Sequence, residues 1–201
     1  MTLVRTEINS NSISALPVAD PHLLALLRYW LAKRRTLPLP ARRDIDPLEI
    51  GPDLLPGLVM TDLLERGTRV RFRLVGTAVV KRMGSDPTGR YLERELRGGW
   101  FDAFGSLCRL VYAERAPVYA ECEMHWGSGR TMRLASLLLP LTQDGPDPAI
   151  ALAGLAFASR EPFPPSLRAL AESGAHQELR RHVLKELPVL DAAPSAGRFV
   201  A

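Results

Sequence analysis

The stretch that decides the fold is RFRLVGTAVVKRMGSDPTGRY, residues 71–91. Its first five residues, Arg71 to Val75, alternate polar with apolar side chains, which predicts a strand with one buried face. Gly76 breaks this strand, and the residues after it can form a short helix that ends at Gly84. Asp86-Pro87-Thr88-Gly89 is typical of a turn, because it combines a side-chain acceptor, a fixed φ and a residue that tolerates positive φ. A strand, one short helix and a loop are therefore expected in succession.

This succession resembles the second strand and first helices of a PAS domain. The upstream sequence Arg43-Asp44-Ile45-Asp46-Pro47 is similar to that of the bacterial family of small, stand-alone PAS proteins. The resemblance extends over about residues 20–160. It implies a PAS-like α+β fold, with a five-stranded antiparallel sheet and helices on one face. It also implies a sensory or connecting role, since few PAS domains catalyse.

The hydrophobic pattern places the five strands and their pairing. Strands are predicted near 57–64, 68–75, 117–126, 130–140 and 149–158, in the spatial order 2-1-5-4-3. A turn at Arg66-Gly67 joins the first two strands. Its register pairs Leu63 with Val70, Thr61 with Phe72 and Val59 with Leu74 on one face, and Asp62 with Arg71 on the other. The arginines of the second strand can bind an anion, but a solvated or helix-covered sheet face is the favoured interpretation.

Four segments are expected along the chain. They are a disordered lead (1–19), an N-terminal helical segment (20–56), the PAS-like domain (57–160) and a C-terminal helical extension with a disordered tail (161–201). Two helices are predicted in that extension, at Leu167–Ala171 and His176–Leu187. The second prediction rests on Leu179, Val183 and Leu187, which recur at helical spacing.

Charge and composition limit the partners. The chain has 26 basic and 22 acidic residues, but seven basic residues and only two acidic ones lie within residues 1–43. No basic groove interleaved with aromatics is visible in the domain, so no nucleic-acid partner is expected. No apolar run approaches the roughly 20 residues of a membrane helix, and Met1–Ser14 lacks signal-peptide order. A cytoplasmic protein is therefore expected. Attachment to a membrane surface or to nucleic acid through the basic N-terminal helix is a further hypothesis.

Catalytic and cofactor chemistry is not visible in the sequence. Cys122 and His125 have opposite parity on a strand and cannot share one metal ion. The predicted long helix Trp100–Arg115 contains no histidine that could bind haem, and the reactive-cysteine motif of flavin-binding PAS domains is absent. We therefore expect no catalytic residue, no metal and no cofactor.

A ligand cavity, if one exists, should lie between the sheet and the helices that follow it. The same residues can equally form an ordinary packed core, and core packing is the favoured interpretation. Phe72, Leu74, Met83, Tyr91, Trp100, Phe104, Cys108, Met124, Trp126, Met132 and Leu134 are the predicted lining residues. The preferred function is thus a regulatory module that acts through protein contacts, with a small apolar ligand as a further expectation.

The leading helix, opened by Asp20 at its N-cap and Pro21 at its first position, presents an apolar stripe. The stripe consists of Leu23, Leu26, Leu27, Trp30 and Leu31. The outer sheet face appears too charged in sequence to accept all of it, because Arg69, Arg71, Glu121 and Glu123 map there. A homodimer through this helix is therefore predicted, with packing of the helix on its own domain as an equally weighted alternative. An unidentified signalling protein is the other expected partner.

A second class of function uses Arg42, Arg43 and Asp44. These residues suggest a small α+β enzyme or an anion-binding protein. Asp46 has a simpler role as a helix cap, and Asp44 lies beside two arginines. A structural role is therefore the favoured interpretation for these aspartates.

Overall fold

The computed structural model describes residues 2–4, 16–96, 99–126, 130–158, 176–185 and 187. Its helices are α1 (Pro21–Arg34), α2 (Pro47–Ile50), α3 (Thr77–Met83), α4 (Leu92–Glu95) and α5 (Gly99–Glu114). Its strands are β1 (Thr2–Val4), β2 (Leu58–Leu64), β3 (Arg69–Val75), β4 (Val118–Trp126), β5 (Arg130–Leu141), β6 (Ile150–Ala158) and β7 (His176–Val183). This element order confirms the α+β class and the long helix expected before the third predicted strand.

In the described part of the chain, one sheet contains all these strands in the order β1-β7-β4-β5-β6-β2-β3. The five predicted strands correspond to β2 to β6, and their predicted order and antiparallel pairing are confirmed. Two further strands extend the sheet at the β4 edge. β7 pairs antiparallel with β4, and β1 pairs parallel with β7.

The prediction of a helix at His176–Leu187 is wrong, because residues 176–183 form β7. Leu179 and Val183 are four residues apart, a spacing that places them on one side of either a helix or a strand. Pairing decides between these states, since β4 would otherwise present an unpaired edge. The predicted C-terminal extension is thus not helical at β7, and the helix predicted at Leu167–Ala171 lies outside the described residues.

The predicted hairpin is correct near its turn and wrong further along. Leu63 pairs with Val70 and Thr61 with Phe72, as expected, but the register then shifts. Between Met60 and Thr61 the opposite strand, β3, has one extra residue. This bulge places Met60, not Val59, opposite Leu74. Leu74 is therefore turned away from the core and is 46% exposed.

Both faces of the sheet are covered: α3, α4 and α5 of the predicted domain lie on one face, as expected, and α1 of the N-terminal segment covers the other. The inner face carries Val59, Phe72 and Leu138, which pack with residues of α3 and α5. The outer face carries Met60, Leu139 and Leu152, which pack against α1. The whole apolar stripe of α1 is buried on the outer face, each side chain being at most 2% exposed.

The expectation that the outer face is too charged for the stripe is wrong because its charges lie elsewhere. Glu121 and Glu123 line a groove of about 410 Å³ beyond the start of α1. Under α1, β6 contributes Gly154 and thereby allows close approach. A Cβ added to Gly154 would lie 2.7 Å from Leu26 Cδ2 and 2.8 Å from Leu23 Cδ2. Trp30 Nε1 also donates a hydrogen bond of 2.9 Å to the carbonyl oxygen of Pro140.

Candidate ligand cavity on the inner face

A small cavity of about 60 Å³ lies between the inner face of the sheet and the helices α3 and α5. Ser136 provides the only hydroxyl among its described lining residues, and its Oγ donates to the Ala120 carbonyl oxygen at 3.4 Å. The lining residues are Val59, Phe72, Val79, Met83, Leu96, Ala103, Phe104, Leu107, Cys122, Leu134, Ser136, Leu155, Phe157 and Leu179. Such a surface can hold an apolar group and offers it little hydrogen bonding.

Phe72, Met83, Phe104 and Leu134, all predicted lining residues, do line this cavity. The Phe72 and Phe104 rings stack with their centroids 6.4 Å apart, so β3 and α5 contact each other across the cavity wall. The prediction therefore located the right faces of these two elements.

The other predicted residues do not line the cavity or are not described. Cys108 and Met132 are fully buried in the surrounding core, while Leu74 is exposed because of the β3 bulge. Tyr91 packs its ring against Arg69, whose Cζ lies 4.0 Å from the ring centroid. The side chains of Trp100, Met124 and Trp126 lie outside the described residues.

Several lining residues were missed. Strand alternation indicates Ser136, because it follows Leu134 on the same face of β5, and it places Leu155 and Phe157 together on one face of β6. β6 is apolar on both faces, so its sequence does not show which residues face the cavity. Leu179 was missed because its segment was assigned to a helix.

The two thiols near the cavity are poor nucleophiles. Burial raises the pKa of the Cys122 thiol to about 11. Burial also raises the pKa of the Cys108 thiol to about 12, although the Thr61 hydroxyl beside it acts in the opposite direction. Since the thiolate is the reactive form, both thiols remain neutral and unreactive near neutral pH.

The arginines of β3 are used in structural contacts. Arg71 donates from Nε and Nη2 to Asp62 Oδ2, at 2.9 and 2.8 Å. Arg73 Nη1 donates to Asp62 Oδ1 at 3.0 Å and to Gln143 Oε1 at 2.8 Å. Asp62 is only 6% exposed, and its hydrogen bond raises the pKa of Arg71 further. The predicted pairing of Asp62 with Arg71 is confirmed, and Arg73 joins it.

The alternative site at Arg42, Arg43 and Asp44 forms a capped turn. Asp44 Oδ2 accepts a hydrogen bond of 2.9 Å from the backbone N–H of Ala41. Arg42 Nη1 donates to the Ile45 carbonyl oxygen at 3.2 Å, and its backbone N–H donates to the Thr142 carbonyl oxygen at 2.8 Å. These contacts attach the connector to the sheet, and none of the three residues lines the inner-face cavity.

The described residues include neither a metal-binding cluster nor a membrane-spanning helix. Among these residues, no three His, Cys, Asp or Glu side chains are grouped as a metal site would require. No described helix combines the length and the hydrophobicity that crossing a membrane requires. The side chain of His125 lies outside the described residues, so the argument about Cys122 and His125 stays a prediction.

The comparison with known families identifies the fold. A family model described as "PAS domain" matches residues 18–156. The chain belongs to the PAS domain family. The match begins just before α1 and ends within β6, close to the span of the resemblance, so β7 of this PAS domain lies outside it. A search of the curated proteins found no match.

Membership of the PAS domain family indicates the general function. PAS domains are in general sensory or regulatory modules that commonly mediate protein interactions and dimerise, and they are generally not catalytic. The inner-face cavity lies between the sheet and the helices, unlike the larger groove beside Glu121 and Glu123. Its residues are apolar, and this favours binding over catalysis.

Proposed function

We propose that this PAS domain is a non-enzymatic regulatory module that binds a small apolar ligand in its inner-face cavity. The observation that carries the proposal is the cavity itself, which lies between the sheet and α5 and is lined almost wholly by apolar side chains. A ligand there would contact both layers at once. It would therefore stabilise whichever arrangement of α5 on the sheet it fits better, which is how a ligand shifts a conformational equilibrium.

The volume limits the size of that ligand. Sites for drug-sized molecules enclose roughly 300–1,000 Å³, whereas this cavity has about 60 Å³. The occupant in this arrangement is therefore a small group of a few carbon atoms. Met83 lines the cavity and has a flexible, unbranched side chain, so its movement provides a way to enlarge the site.

The test uses 1-butanol as a neutral apolar probe and compares two alanines of α5. Ala103 lines the cavity, whereas Ala113 is exposed on the same helix. The wild type and Ala113→Leu should show saturable 1-butanol binding, measured as methyl chemical-shift changes of inner-face leucines and valines. Ala103→Leu should lose this binding because the new side chain occupies the cavity. If the wild type shows no saturable shifts, or if Ala103→Leu retains them, the cavity is only packed core.

The output of the module is proposed to be contact with a signalling protein and with a second copy of itself in the bacterial cytoplasm. The stripe of α1 cannot provide the dimer surface in this structure, because its side chains are buried within their own chain. A homodimer would therefore use other surfaces. Sedimentation equilibrium of the full chain tests it, and a monomer mass across the micromolar range would contradict it.

A further inference from the structure

Arg181 lies on the inner face of β7, beside the cavity and outside the region that matches the PAS family model. Leu179, two residues earlier on the same face, lines the cavity. Leu179 pairs with Cys122, which also lines the cavity, and Arg181 pairs with Ala120. The guanidinium group of Arg181 is therefore carried by the strand that closes the β4 side of the cavity.

Arg181 reaches α5 at a residue whose neighbours line the cavity. Its Nη1 donates a hydrogen bond to Ser106 Oγ at 3.3 Å. Ser106 Oγ in turn donates to the carbonyl oxygen of Ala103 at 2.7 Å. Ala103 and Leu107, on either side of Ser106, both line the cavity. Ser106 and Arg181 thus form a polar pair beside residues that line the cavity, although neither of the two lines it.

The described residues supply no carboxylate to Arg181. Its Nε is buried and has no hydrogen-bond partner among the described residues, and its Nη1 contact there is with a neutral hydroxyl. Partial burial lowers the pKa of Arg181. By contrast, Arg71 and Arg73 bind Asp62, Arg90 binds Glu95, and Arg133 binds Glu123. A partly buried cation without an anion is energetically costly, and bound anions relieve that cost.

We propose that Arg181 and Ser106 bind the carboxylate of a short-chain aliphatic acid whose apolar tail occupies the inner-face cavity. This assignment rests on the proposed function, because the tail uses the same cavity. The Nε atom is covered by protein atoms in this arrangement, so the ligand must displace them. The edge formed by Nε and Nη2 then receives both carboxylate oxygens, the paired geometry in which arginine binds carboxylates best. The small volume matches a tail of a few carbons, and the tail explains why the cavity is apolar.

The experiment compares butyrate with 1-butanol, which has a similar tail but no charge, by isothermal titration of the full chain. Wild type should bind butyrate about ten-fold or more tightly than 1-butanol, in line with the strength of hydrogen bonds to charged groups. Arg181→Met should lose this preference and keep 1-butanol binding. Arg180→Met is the matched control, because Arg180 is the adjacent, exposed residue on the outer face. It should behave as wild type.

A measurement on the wild type covers the case in which Arg181→Met does not fold. Butyrate should shift the NMR signal of the Arg181 side-chain Nε–H group, and 1-butanol should not. Binding of 1-butanol without a preference for butyrate, or an unshifted Nε–H signal at butyrate saturation, overturns the Arg181 assignment alone. If neither compound binds the wild type, both this assignment and the proposed function fail.

Discussion

The two faces of the sheet are covered by helices in different ways. Under α1 the outer face is filled: Leu26, Leu27 and Leu31 are 0% exposed, and Gly154 allows the helix to approach. Under α3 and α5 the inner face retains a cavity, although it too has an apolar core. The outer face is therefore the region that fixes the fold. The inner face is the region where the proposed ligand would change the packing of the helices on the sheet.

The largest expected effect is on the outer face. Trp30→Ala should reduce the free energy of unfolding by about 3–5 kcal/mol, since it removes a large buried side chain. Trp30 is 1% exposed, and its indole N–H bonds to Pro140, so the substitution also leaves that carbonyl without its donor. Urea unfolding measures the change, with Arg28→Ala on the exposed side of α1 as control. A loss below 1 kcal/mol would mean that α1 does not form this core.

The next effect tests how closely α1 approaches the sheet. Gly154→Ala should destabilise by about 1–3 kcal/mol, the usual cost of overpacking a filled core. The added methyl would lie within 2.8 Å of two leucine side chains that are almost fully buried. Gly145→Ala is the matched control, because its new Cβ would meet nothing within 4 Å. Equal stability of the two variants would show that α1 can shift, and the contrast between the faces would then be wrong.

Much of the fold could be predicted from the sequence, and the part of the prediction that failed has identifiable causes. Alternation and turns located β2 to β6, and the succession of two strands, helices and three strands predicted their order. The strand β7 could not be found in this way, since Leu179 and Val183 fit helix and strand equally. Its partner β4 is far away in the sequence. Pairing across that distance leaves no local signal.

The site was harder to predict than the fold. Whether an apolar residue lines a cavity or fills the core depends on differences in packing of about one methyl group, which no pattern of residue types records. Cys108 and Phe104 both face the sheet from α5, yet only Phe104 lines the cavity. The single-residue bulge in β3 turned Leu74 outwards without a glycine or proline to indicate it.

The third prediction concerns pH and the filled part of the inner face. Cys108 is sealed under α5, and burial raises its pKa to about 12, whereas an unfolded thiol titrates near 8.5. The neutral thiol therefore stabilises the fold fully below the unfolded pKa, and this contribution is lost as the pH rises towards 12. As the pH rises above about 8.5, ionisation of the unfolded thiol should lower the free energy of unfolding, with a slope that approaches roughly 1.4 kcal/mol per pH unit near pH 10. Urea unfolding of wild type and Cys108→Ala measures this contribution as the difference between their slopes, because the variant keeps the smaller pH window of Cys122. An unchanged slope would mean that the thiol is open to water.

The smallest expected effect distinguishes open space from dense packing on the inner face. Ala103→Leu adds three carbons at a position that lines the cavity, so part of the new side chain has room. We expect destabilisation of less than about 1 kcal/mol, below the usual cost of overpacking. Ala113→Leu on the exposed side of α5 is the control for helix propensity, since alanine and leucine are both good helix formers. Urea unfolding of the three proteins measures the difference. If Ala103→Leu costs as much as Gly154→Ala, the inner face is as densely filled as the outer face, and the cavity offers no room for a ligand.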